Sequence, residues 1–120
     1  MSLTFHTKKP EALYDAFNDA IDQDEPKGRI NTWRRTENGA YTHIANDWTK
    51  KAYFRAEIVK DVGLRFRITP PVDKIVDPVV YAYFHGHLTE TFVNHFPRMF
   101  EAAVTTSTPA PCDRMRASTL

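Results

Sequence analysis

The chain has little of what catalytic and metal-binding motifs are usually built from. Cys112 is its only cysteine, which excludes an internal disulfide and a zinc centre made of thiolates. Set among Thr, Ser, Pro and Ala, it reads as an exposed, inert thiol. Glycines stand alone at 28, 39, 63 and 86, so no glycine-rich loop is available to cradle a phosphate. Ser2, Ser107 and Ser118 all fall in terminal segments, and no Gly-x-Ser-x-Gly elbow is present, which argues against acyl transfer through serine. No segment approaches the ~20 consecutive apolar residues that span a bilayer, and no charged stretch leads into an apolar one at the start. A cytoplasmic protein without a membrane partner is expected. An excess of one charge is also lacking: 16 basic against 15 acidic residues leave a net charge of +1, which argues against a nucleic-acid binder driven by phosphate neutralisation.

What remains is the composition of an ordinary globular domain. The 120 residues are 42% hydrophobic and 26% charged, enough for one core without staples. Thr7 to Asp22 carries Leu13, Phe17, Ala20 and Ile21 at helical spacing with acids and Asn18 on the other face, and Pro10 suits its first turn. Gln23 to Arg29 is a polar linker. Asn38-Gly39 between two extended runs predicts a two-residue hairpin with Trp33 opposite Ile44 and Thr36 opposite Tyr41. Two strands then alternate, Ala52 to Val59 and Leu64 to Thr69. A loop of Asp61-Val62-Gly63 sets Ile58 against Phe66, Ala56 against Ile68 and Glu57 against Arg67, which gives one apolar and one charged face. Val79 to His85 is apolar on both sides and predicts a central strand. Leu88, Phe92, Phe96, Phe100 and Ala103 predict a closing helix, kinked or split at Pro97.

The expected fold is therefore α+β in two layers: an N-terminal helix, an antiparallel β-meander of about five strands and a C-terminal helix. It comprises one domain over residues 1–104 and a mobile tail over 105–120.

Two groups of residues carry chemistry. His85, His87 and Glu90, with His95 beyond them, gather imidazoles and a carboxylate, the residue types of acid/base catalysis near neutral pH. Only His87 and Glu90 have the three-residue spacing that suits ligands on a helix, and His95 lies two turns further on. No metal and no cofactor are therefore implied. The second group is a surface in which Tyr53, Arg55, Arg65 and Arg67 on one sheet face lie alongside Tyr81, Tyr83 and His85. Arginine forks and aromatic rings together suit an anionic or ring-bearing ligand or a protein partner. Arg34-Arg35 and Lys50-Lys51 are short basic pairs that alternate faces, and Trp33 is expected in the core.

These patterns favour a non-enzymatic domain that binds a small organic or anionic ligand or another protein, and that forms a homodimer through its open sheet face. The alternative is a small enzyme that uses His85, His87 and Glu90, with or without a metal.

Overall fold

The computed structural model describes residues 2–45, 47–72 and 74–108. It shows an α+β fold in which an antiparallel sheet packs against two helices. In chain order the elements are β1 (Ser2–His6), α1 (Pro10–Asp22), β2 (Trp33–Arg35), β3 (Tyr41–His43), β4 (Tyr53–Val59), β5 (Gly63–Thr69), α2 (Pro78–His95) and β6 (Ala102–Thr105). The sheet runs β2-β3-β4-β5-β1-β6. Strands β2 to β5 form the meander, and the two terminal strands extend it.

The helix near the N-terminus begins at Pro10, its first-turn residue, and not at Thr7. Thr7 instead turns the chain, with its hydroxyl accepting the Lys9 N–H. Leu13, Phe17 and Ala20 are the buried stripe of α1, as their spacing requires.

Both hairpins depart from the expected register. In the first, Trp33 pairs with His43 and Arg35 with Tyr41. The loop has three residues, closed by Thr36 N–H to the Ala40 carbonyl and Gly39 N–H to the Thr36 carbonyl. Only Gly39 takes a positive φ, at 83°. Asn38 is spared one because the Thr36 hydroxyl bonds its side-chain oxygen and accepts the Ala40 N–H, holding the turn from the side. The one-residue shift puts His43 in the core, where Ile44 was expected, and leaves Ile44 outside.

In the second hairpin the faces are as expected but the register moves by two: Ile58 pairs with Leu64, Ala56 with Phe66 and Glu57 with Arg65. The loop is Lys60-Asp61-Val62, with Asp61 supplying the left-handed residue at φ 62°. Gly63 serves in the strand, because His6 lies opposite it and a Cβ there would overlap the Phe5 carbonyl oxygen.

Residues 79–85 are helix, not a central strand. They form the first turns of α2, in which Val80, Tyr81, Phe84, His85 and Leu88 share the buried side while Val79, Ala82 and Gly86 face out. A short run apolar throughout fits a covered strand and a buried helix equally well, and Pro78 at the first helical position decides for the helix. Pro97 ends this helix instead of kinking it: α2 stops at His95, and residues 102–105 return as β6 beside β1. Thr106 continues the pairing, its N–H donating to the Ser2 carbonyl at 3.0 Å. The remainder of the expected tail, residues 109–120 with Cys112, lies outside the described residues.

The core is largely aromatic. Phe5 of β1 stacks on Phe92 of α2 with centroids 4.0 Å apart, and Phe17 of α1 meets both Phe66 and Phe92. Trp33 is buried, with its indole N–H donating to the Thr91 hydroxyl at 3.0 Å, so it packs without leaving a polar group unsatisfied.

Gly63 and Gly86 separate two effects. Gly63→Ala is expected to lower stability by about 3 kcal/mol or more, because the new methyl meets rigid backbone. Gly86→Ala, exposed and unobstructed in α2, is expected to raise it by about 0.5–1 kcal/mol. Urea unfolding of both variants checks the pair.

Candidate functional site

The sheet has two chemically distinct faces because side chains alternate along each strand. Phe5, Tyr41, Phe54, Phe66 and Ile68 point toward the helices and are buried. The register then sets Arg34, Tyr53, Arg55, Glu57, Arg65 and Arg67 on the other face, which no helix covers. Of the expected surface, Tyr53, Arg55, Arg65 and Arg67 are thus brought together. Tyr81, Tyr83 and His85 are not among them, since they belong to α2 on the opposite side of the sheet.

Glu57 is the one carboxylate in these strand positions. Arg65 Nε donates to it at 2.5 Å, and an Arg67 nitrogen lies 4.0 Å from the same oxygen. Arg55 sits directly opposite Arg67 in the register, an arrangement of like charges that costs stability unless a counter-charge intervenes. Its recorded hydrogen bond is to the Asn38 carbonyl at 3.3 Å. Arg34 and Arg55 stand on β2 and β4, two strand spacings apart and two residues out of level, so that their backbones are roughly 12 Å apart. Between them lie Ala40, just before β3, and Thr42 of β3, and Thr42 is sealed by bonds to the Ala52 carbonyl and the Lys50 N–H. Long side chains on either side of short ones leave a groove of about 680 Å³, bordered by Arg34, Tyr53 and Arg55 and floored in part by Ala40. Among the described residues of its wall Glu37 is the only acid. Arg35 also reaches the rim but is held by Asp22 at 2.7 Å and Asn18 at 2.8 Å.

Sequence reading passed over Arg34 as half of a basic pair. The signal that would have found it is the hairpin register, since pairing Thr36 with Ala40 puts Arg34 and Tyr53 on one face.

The histidine cluster is divided by helix geometry. His85 and His87 are two residues apart, which turns them to opposite sides of α2 at 3.6 residues per turn. His85 is 3% exposed. Its Nδ1–H donates to the Tyr81 carbonyl at 2.8 Å, and its Nε2 is buried with no hydrogen-bond partner among the described residues. Burial pushes its pKa down to about 4, so it is neutral at pH 7. His87 stacks on Tyr83 at 4.0 Å, and Trp48 stacks on the other side of that ring at 3.8 Å. His43, which the sequence did not single out, meets His87 edge-on at 5.3 Å and accepts the Ala45 N–H through Nδ1. Burial first, and His87 second, hold its pKa below the ordinary imidazole value. Glu90 is exposed. Among the described residues no three His, Cys, Asp or Glu side chains come together as a metal site, and no helix is long and apolar enough to cross a membrane. Four surface concavities formed by described residues include none of His85, His87 and Glu90 in their walls.

Compared with protein-family models, curated proteins and solved structures, the chain matches none.

The buried histidines make stability depend on pH. The folded-state pKa of His85 is depressed below its unfolded value near 6.5, so the unfolded chain takes up the proton first as pH falls. Its contribution is complete above pH 6.5 and is lost as the pH falls to about 4. The loss is on the order of 3 kcal/mol, and His43 adds to it with the same sign. Urea unfolding across this range is expected to show that slope, shallower in His85→Gln.

Proposed function

We propose that the chain is a binding domain that takes up an acidic ligand, a small organic anion or an acidic protein segment, in the groove on the open sheet face. The observation that carries this reading is the placement of Arg34 and Arg55 on either side of the short Ala40 and Thr42, with Tyr53 beside them and Glu37 as the only acid among the described residues of the wall. Guanidinium groups accept carboxylates and phosphates in forked geometry, and a concave site partly lined by protein strengthens such contacts relative to open water. Tyr53 adds a ring face and a hydroxyl for an organic anion.

Catalysis finds less support. His85 is sealed in the core, and His87 and Glu90 lie outside the walls of the four concavities described above. A homodimer through the open face is also disfavoured, because two copies meeting there would oppose their arginines. The expected cytoplasmic location belongs to the same proposal and rests on the lone cysteine and the lack of an apolar segment of spanning length.

Titration calorimetry with a hexaglutamate peptide and with citrate tests the reading. At least one is expected to bind, more weakly as ionic strength rises, and Arg34→Ser/Arg55→Ser is expected to lose roughly tenfold or more of the affinity. No binding of either probe, or equal binding by the double variant, would overturn it.

A further inference from the structure

The two edges of the sheet differ. Strand β2 is three residues long and carries Arg34 and Arg35, the charged, short design that discourages another strand from adding to an edge. Strand β6, Ala102-Ala103-Val104-Thr105, has no charge and no proline, and Val104 is 51% exposed. From these edges we infer that β6 is an interface on which a second copy of this chain pairs antiparallel, β6 against β6. The inference is independent of the groove proposed above.

The hydrogen-bond phase accommodates a second copy as the occupant. In an antiparallel pair, alternate residues direct both backbone groups to the neighbouring strand and the residues between them direct both away. Thr106 lies opposite Ser2 in the register and donates its N–H to the Ser2 carbonyl. By this alternation Thr106 and Val104 turn their N–H groups to β1, with the Thr106 carbonyl taken by the Tyr81 hydroxyl, and Ala103 and Thr105 present their backbone groups outward. These two residues flank Val104 symmetrically. A two-fold axis through Val104 sets Ala103 of each copy opposite Thr105 of the other, and both pairs have their donors and acceptors facing. Val104 then meets its own symmetry mate on the outer sheet face, where it is now exposed. The same axis keeps the helices of both copies on one side and makes a continuous twelve-stranded sheet from two six-stranded ones.

Electrostatics do not oppose the union. The pairing residues are uncharged, and Arg65, the nearest outer-face arginine along that row, lies on β5. Five strand spacings, roughly 24 Å, would separate it from its counterpart, beyond a Debye length of about 8 Å.

Sedimentation velocity across a dilution series, together with amide exchange read at Ala103 and Thr105, tests the pairing. The expected result is a doubling of mass with rising concentration and, in parallel, slower exchange at these two amides. Val104→Lys sets like charges together at the axis, and Thr105→Pro removes an outward donor without touching the bonds to β1. Each is expected to weaken the dimer by roughly tenfold or more while leaving the circular dichroism of the monomer unchanged. A monomer at every concentration would overturn the inference. So would a dimer that neither substitution weakens, or slow exchange at both amides independent of concentration, which would mean that another segment of the same chain already covers the edge.

Discussion

The sheet depends on the close approach of β1 to β5 at Gly63. There the Phe5 carbonyl occupies the space that any other residue's Cβ would need, and this lets β1 enter between β5 and β6 as an interior strand. Much follows from that seat. Among the described residues, strand β6 has β1 as its only partner in the sheet. Phe5 reaches the centre of the core and stacks on Phe92, which pins the second half of α2. Nearer its start, α2 is tied to the same region by Tyr81, whose hydroxyl bonds the Thr105 hydroxyl and the Thr106 carbonyl.

The two faces of the sheet divide the chain's chemistry. On the helix side the polar aromatics are consumed in packing: Tyr81 covers His85 at 3.7 Å, and Trp48, Tyr83 and His87 stack in sequence. An imidazole sealed in this way is held neutral by desolvation and acts as a flat, mostly apolar filler. On the outer side the cations stay near water, where keeping them charged costs little. Histidine adjacency in sequence is thus a poor guide to function on this helix. The arginines, far less conspicuous in the sequence, are the groups still accessible to a ligand.

Much of the fold was legible where periodicity and burial agree. Leu13, Phe17 and Ala20 mark α1 because one face of it is wet. Alternation in β4 and β5 assigned Arg55, Glu57, Arg65 and Arg67 to a common face even though the register slipped, because a shift of two residues preserves the side on which each residue lies. The first hairpin had no such protection. A shift of one exchanged Ile44 for His43 in the core, and the deciding bonds come from the Thr36 side chain, not from backbone preference. Residues 79–85 carry no alternation and no helical stripe, since they are apolar almost throughout, and a segment of that kind declares its burial but not its geometry. Strands β1 and β6 were missed because each is short and finds its stabilising partner at the far end of the chain. Of the candidate site, the arginine and tyrosine face of β4 and β5 was legible. Arg34 was passed over as half of a basic pair, although its outer face follows from the inward-facing Trp33 beside it.

The hydrogen bond between the Ser2 N–H and the Thr106 hydroxyl joins residues 104 positions apart. Closing a loop of that size carries an entropic cost that no local contact offsets, so the two pairings made by β1 must form late, after the hairpins of the meander have organised themselves. The half of the sheet that completes last is the half built from the two ends of the described chain. A protein of this topology folds slowly for its size, and until β1 is seated the β5 edge stands open to any passing strand. Joining the neighbouring ends near Ser2 and Thr106 and cutting the chain in the Glu37 to Gly39 turn would make those long-range contacts local while leaving the finished architecture unchanged.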